Sequence, residues 1–141
     1  MILVSECLAG VNCRMDGGNK LVLEIKALVE AGEAVPVCPE VLGGLPTPRA
    51  PSEQRDGRVF SSTGKDVTTE FVCGAERALE ICREHGCTSA ILKAKSPSCG
   101  CGLIHNGRFD GALVPGNGIF AQMLLDAGIP VMTEQEFLRH A

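Results

Sequence analysis

Ile2-Leu3-Val4-Ser5 is a short apolar run at the start of the chain, and Ala34-Val35-Pro36-Val37-Cys38 is a second one. Between them, residues 21–31 place apolar side chains at helical spacing and meet a helix stop at Gly32. Two buried strands connected through a helix usually pair in parallel within one sheet. The beginning of the chain therefore predicts an α/β protein with a parallel sheet.

The rest of the chain continues this alternation of helices and strands. The predicted elements are a helix over 66–86, a strand over 89–94, a helix over 119–127, a strand over 129–132 and a terminal helix opened by a capping box of Thr133 and Glu136. Such alternation favours a three-layer, mostly parallel sheet with helices on both faces, which is a Rossmann-like arrangement. We find no internal repeat, and we expect one single domain over residues 1–141.

Two segments depart from the alternation. From Pro39 to Arg58 the chain carries four prolines and three glycines, which predict a long ordered loop with little regular structure. The dipeptide Asn106-Gly107 lies between apolar residues and predicts a tight hairpin turn.

Composition and charge exclude several classes of function. The chain has 141 residues, a net charge of -4 and no cluster of Lys and Arg, so a nucleic-acid polymer is not expected as a partner. No apolar run approaches the length of about 20 residues that spans a bilayer, and the first residues lack the pattern of a signal peptide. We therefore expect a cytoplasmic protein without a membrane partner.

Eight cysteines are many for a protein of a reducing compartment, where thiols usually act as metal ligands, catalysts or small core residues. Five of them lie in Gly- or Pro-rich loops: Cys7, Cys13, Cys38, Cys99 and Cys101. These loops follow the first, second and third predicted strands, and ligands of parallel sheets bind beyond the carboxyl ends of strands. The cysteine loops are therefore the candidate site.

Spacing alone leaves the chemistry of these cysteines open among an iron-sulfur cluster, zinc and thiol redox chemistry. Paired Cys-x-x-Cys steps, which are common in structural zinc sites, do not occur here. The other three cysteines, Cys73, Cys82 and Cys87, lie in or after a predicted helix and are interpreted as buried apolar residues.

Three sequence blocks contain the cysteines of these loops: Cys7-x-x-Gly10-x-x-Cys13-Arg14-x-Asp16-Gly17, Cys38-Pro39-Glu40-x-x-Gly43-Gly44-Leu45-x-x-Pro48-Arg49 and Lys95-Ser96-Pro97-Ser98-Cys99-Gly100. Together they resemble the signature of the thiouracil desulfurase family. The similarity runs from residue 1 to about residue 130. It implies an enzyme that converts a C=S group to C=O with water, without net electron transfer, and releases sulfide from a small thiolated base or nucleoside such as thiouracil.

The resemblance also implies a cofactor and its ligands. Family members carry a 4Fe-4S cluster on three protein cysteines, which leaves one iron open, and by motif these cysteines are Cys7, Cys38 and Cys99. The family also uses a Glu and a Ser, which correspond to Glu40 and Ser96, with Ser98 as the alternative serine. Cys13 and Cys101 remain candidates for neighbouring or substitute ligands.

Two other functions remain open at this stage: a zinc- or thiol-dependent small-molecule enzyme, and a non-enzymatic protein that binds metal or sulfide. A carboxylate beside a ligand favours catalysis, because storage needs no positioned base. Arg14, Arg49 and Lys95 either hold a polar substrate edge or brace loops, and His105 is expected to lie outside the site.

Overall fold

The computed structural model describes residues 1–140 and contains eight strands and five α-helices within them. The strands are β1 (Ile2–Ser5), β2 (Ala34–Val37), β3 (Ser52–Arg55), β4 (Arg58–Ser61), β5 (Ser89–Leu92), β6 (Leu103–His105), β7 (Leu113–Pro115) and β8 (Val131–Thr133). The helices are α1 (Leu23–Glu30), α2 (Pro39–Leu42), α3 (Thr68–Glu84), α4 (Ile119–Asp126) and α5 (Glu134–Arg139).

The central sheet has four strands in the order β2-β1-β5-β8, and every neighbouring pair in it is parallel. In the first pair, Ile2 lies opposite Ala34 and Ser5 lies opposite Val37, so the two strands end together. The prediction of an α/β protein with a parallel sheet is confirmed. Two antiparallel hairpins, β3-β4 and β6-β7, lie outside this sheet.

Apolar residues of the inner strands alternate between two hydrophobic clusters. Leu3 and Leu92 are fully buried in the cluster that also contains residues of α3 and α4. Val4 and Ile91 belong instead to the cluster that contains Ile25 of α1 and contacts Phe137 of α5. Because successive side chains of a strand point to opposite faces, this division is the one that a sheet buried on both sides requires.

Helix α3 supports the segment that follows β2. A Cβ at Gly74 would lie 1.8 Å from the backbone oxygen of Pro39, and one at Gly43 would lie 2.0 Å from the backbone oxygen of Glu70. Both positions therefore require glycine, since the backbones of α2 and α3 are in direct contact. This contact fixes the position of the residues between Pro39 and Gly43.

The segment from Pro39 to Arg58 has more regular structure than we predicted. Pro39 occupies the first turn of α2, where its missing N–H is no loss, and Ser52–Arg55 forms β3. Asp56 and Gly57 connect β3 to β4 with φ values of 53° and 77°. Positive φ at both central residues is what a type I′ hairpin turn needs, and Asp-Gly is a preferred dipeptide for it.

The second hairpin exists where we expected it, but its turn is longer than a two-residue turn. β6 and β7 pair antiparallel, and residues 106–112 form the loop between them. The Glu53 carboxylate accepts hydrogen bonds from the N–H groups of Gly107 and Phe109, at 3.0 and 3.1 Å. A tight turn at Asn106-Gly107 was therefore the wrong prediction, because a buried carboxylate from another hairpin organises this loop.

The remaining helices agree with their sequence signals. At the start of α5, the Thr133 hydroxyl accepts the N–H of Glu136 while the Glu136 carboxylate accepts the N–H of Thr133, which is the predicted capping box. α3 is the longest helix at 17 residues. Within residues 1–140, no helix combines the length and the apolar character needed to cross a membrane.

Candidate active site

A cavity of about 570 Å³ lies at the carboxyl ends of the central strands. In the order β2-β1-β5-β8, the chain goes from β1 to β2 on one side and then returns to add β5 and β8 on the other side. Strand order therefore reverses between β1 and β5. Ligands of open α/β sheets bind at such a reversal. Cys7 follows β1 in a 3-10 turn, Cys38 follows β2, and Cys99 follows β5.

Four cysteines line this cavity: Cys7, Cys13, Cys38 and Cys99. The Cys38 thiol lies 3.9 Å from the backbone oxygen of Cys13, and the thiols of Cys7 and Cys38 are near enough to Cys13 to shift its pKa. Three of the four are almost fully buried, with exposed fractions of 7% for Cys7, 5% for Cys13 and 4% for Cys99. Cys73, Cys82, Cys87 and Cys101 do not line the cavity.

Burial and neighbouring groups raise the pKa of the thiols of Cys13, Cys38 and Cys99, which keeps these three protonated in the free protein. The pKa of Cys99 rises to about 12, chiefly through burial and to a smaller extent through the neighbouring Cys38 and Glu40, and hydrogen bonds from Ser5 and Ser98 only partly oppose this. For Cys13 the contact with Cys38 lowers the pKa, but the contact with Cys7 and burial outweigh it, and the pKa rises to about 12. The contact with Cys13 and burial raise the pKa of Cys38 as well. Metal binding to these thiols must therefore release protons.

The four cysteines of the cavity are soft ligands of the kind that an iron-sulfur cluster takes. Among residues 1–140, no three His, Cys, Asp or Glu side chains are arranged to hold one ion. A 4Fe-4S cluster binds its thiolates on separate irons, so its ligands surround a wider space. A hydrogen-bond donor also reaches one of the sulfurs, since a hydrogen bond from the Val41 N–H lowers the pKa of the Cys38 thiol. Such donors stabilise the negative charge of cluster thiolates.

Glu40 lies at the same cavity, and both of its carboxylate oxygens have partners. Arg49 donates from Nε to Oε1 at 3.1 Å, and Ser98 donates from Oγ to Oε2 at 3.0 Å. The side chains of Arg49 and Glu40 are only 7% and 16% exposed. Arg49 also donates to the backbone oxygens of Cys13 and Pro46. Of the two roles considered for Arg49, the structure therefore supports loop bracing.

Ser96 contacts the backbone of its own loop rather than Glu40. Its hydroxyl oxygen accepts the N–H groups of Ser98 and Cys99, at 3.2 and 3.1 Å. The Ser96 and Ser98 hydroxyls are 3.0 Å apart. Of the two serines considered from the sequence, Ser98 is the one that touches Glu40.

Sequence reasoning missed several residues that line the cavity. His105 was expected outside the site, but the β6-β7 hairpin brings it to the cavity wall, and its Nδ1 is buried without a hydrogen-bond partner. Phe109 belongs to the same wall and was also missed, whereas Arg14 and Lys95, which the sequence analysis considered for a polar substrate edge, do line the cavity. Phe109 and Lys95 have φ values of 56° and 68°, a region that costs a non-glycine residue about 1 to 2 kcal/mol. Strained backbone of this kind is concentrated at functional sites, but it is visible only in the structure, so no local sequence signal pointed to His105 or Phe109.

Fold and cavity together define an α/β protein with a cavity at the reversal of strand order. Four cysteines line this cavity, together with the Glu40 carboxylate that is paired with Arg49. The model of the 2-thiouracil desulfurase family matches residues 2–136. The chain therefore belongs to the 2-thiouracil desulfurase family, as its signature blocks predicted.

Two similar proteins support this assignment. The chain is 45% identical to the 4Fe-4S-dependent thiouracil desulfidase TudS, whose solved structure matches with a TM-score of 0.92 over 98% of this chain and 93% of that one. It is also 40% identical to the uncharacterized protein YbbK of Bacillus subtilis (strain 168), over 96% of this chain and 97% of that protein.

Proposed function

We propose that this protein removes sulfur from a small thiolated base such as thiouracil, in a reaction that depends on an iron-sulfur cluster. The observation that carries the proposal is the Glu40 carboxylate at a cavity lined by Cys7, Cys38 and Cys99. Family membership and the match to a thiouracil desulfidase support the substrate class. The overall reaction exchanges C=S for C=O, consumes one water and releases sulfide, with no change in electron count.

The proposed ligands of a 4Fe-4S cluster are Cys7, Cys38 and Cys99, each supplied by the end of a different strand. A cluster held by these three cysteines would leave one iron free of protein thiolates and would supply a thiophilic Lewis acid for the C=S bond. Cys13 is the neighbour of two of these thiols and is not proposed as a ligand.

Glu40 is the proposed proton-transfer group. The water that adds to the thiocarbonyl carbon must lose protons, and the sulfur that leaves must gain them. Because Arg49 and Ser98 bind its two oxygens, the carboxylate is held in one orientation at the cavity wall. Ser96 is the second proposed site residue. Its hydroxyl accepts the N–H groups of Ser98 and Cys99 and so orders the loop that carries them.

The architecture proposed for this function is one domain over residues 1–141 with the three-layer, Rossmann-like arrangement predicted from the sequence. The division of apolar residues between two clusters, one with α3 and α4 and one with α1 and α5, supports it. All eight cysteines are free, which supports a reducing compartment and hence a cytoplasmic location. No nucleic-acid polymer and no membrane is proposed as a partner.

Turnover of 2-thiouracil by the cluster-loaded protein is the direct test. Anaerobically purified protein is expected to be brown, to contain iron and acid-labile sulfide, and to release one sulfide for each uracil formed. Colourless zinc protein with activity would favour the zinc enzyme instead, and loaded protein without any turnover would favour a protein that stores or senses metal. Full activity without iron would contradict the cluster mechanism.

Exposure to air is expected to remove the cluster and to oxidise the thiols that it leaves behind. Because Cys13 lines the same cavity as Cys7 and Cys38, and the Cys38 thiol lies 3.9 Å from the Cys13 backbone oxygen, the first disulfide is expected to include Cys13. Peptide mapping under non-reducing conditions identifies it, and reduction followed by anaerobic reconstitution should restore iron. A disulfide that forms first elsewhere, for example at Cys101, would contradict this expectation.

A further inference from the structure

The serine hydroxyls of the 96–99 loop form a chain of hydrogen bonds that ends on Glu40. The Ser96 and Ser98 oxygens are 3.0 Å apart, and the Ser98 oxygen is 3.0 Å from Oε2 of Glu40. Ser98 is 2% exposed, so solvent does not compete for its hydroxyl.

The direction of this chain follows from the number of protons available. A hydroxyl has one proton to donate and two lone pairs to accept with, and an ionised carboxylate only accepts. Two backbone N–H groups already fill the lone pairs of Ser96, so its proton is left for Ser98. Ser98 accepts this hydrogen bond and has one proton of its own to donate. That proton points to the Glu40 carboxylate at 3.0 Å rather than to the Cys99 sulfur at 3.6 Å, because a charged oxygen is the nearer and stronger acceptor.

The backbone of Ser98 is fixed independently of its hydroxyl. Its carbonyl oxygen accepts the N–H groups of Phe120 and Ala121 at the start of α4, at 2.9 and 3.1 Å. A Cβ at Gly118 would lie 2.4 Å from the backbone of Ser98, so the two segments are in direct contact. Removing the hydroxyl therefore leaves the position of the loop in place.

We propose that Ser98 is a positioning residue that holds the Glu40 carboxylate in place for proton transfer, and that Ser96 acts on the reaction through Ser98. This inference rests on the proposed desulfurase function. It gives the two serines of the block distinct roles: Ser96 orders the loop and orients the hydroxyl of Ser98, and Ser98 orients Glu40. Arg49 completes the arrangement from the other oxygen.

The test compares Ser98→Ala with wild-type protein, both loaded anaerobically and matched in iron content and absorbance spectrum. A hydrogen bond to a charged group contributes about 1.5 to 3 kcal/mol, which corresponds to a fall of roughly 10- to 150-fold in kcat with KM for 2-thiouracil little changed. Ser89→Ala, at the opposite end of β5 and away from the cavity, is the matched control and should behave as wild type.

A kinetic cycle with Glu40→Gln separates positioning from a general structural effect. If Ser98 acts through Glu40, Ser98→Ala should lower kcat in wild-type protein but change it less than about 2-fold in the Glu40→Gln background. Equal effects in both backgrounds would overturn the proposal, as would unchanged kcat in an active Ser98→Ala protein. Loaded wild-type protein that releases no sulfide from 2-thiouracil would instead overturn the proposed function, and the role of Ser98 with it.

Discussion

Glu40→Gln is expected to keep the iron-sulfur cluster and to lower kcat on 2-thiouracil by about 10² to 10⁴-fold, the range that general acid-base groups contribute. Gln is nearly isosteric with Glu, and its amide oxygen can still accept the hydrogen bond from Arg49. What it lacks is a group that takes up and returns a proton. Iron content, the absorbance spectrum and anaerobic sulfide release measure the two effects separately.

The control for this substitution is Glu76→Gln, which removes an exposed carboxylate of α3 that does not line the cavity. It should leave both spectrum and turnover unchanged. If Glu40→Gln loses its iron, the carboxylate is a ligand or a structural brace. If Glu40→Gln keeps full activity, its role in proton transfer is wrong.

Serine substitution of Cys7, Cys38 or Cys99 is expected to have the largest effect of all, with loss of iron and of all measurable turnover. Each of these cysteines lies at the end of a different strand, so no single loop can replace the missing thiolate. A hydroxyl is a poor substitute because iron-sulfur clusters select soft thiolate ligands. Iron and sulfide analysis after anaerobic reconstitution provides the measurement.

Two further cysteines make this experiment specific. Cys101→Ser should keep iron and activity, since Cys101 lies in the same sequence block but not at the cavity. Cys13→Ser should also keep its iron if the cluster has three protein ligands. If Cys38→Ser keeps a full cluster and Cys13→Ser loses it, then Cys13 is the cluster ligand and Cys38 is not.

Local sequence signals predicted the fold well where they act over a few residues. The strands and helices of the parallel sheet were recognised from periodicity, and the capping box of Thr133 and Glu136 forms as expected. Turns were harder, as the two Xaa-Gly dipeptides show. Asp56-Gly57 makes the tight turn of β3-β4, whereas Asn106-Gly107 begins a longer loop because the distant Glu53 binds its backbone.

The sequence by itself determined the parallel α/β class and the cysteine loops of the site. Strands of a parallel sheet end at one edge, so Cys7, Cys38 and Cys99 had to lie near each other once each followed a strand. The tertiary structure decided which side chains touch: Ser98 rather than Ser96 on Glu40, and His105 at the cavity wall. Those contacts depend on how separate loops pack, and no local pattern in the chain encodes that geometry.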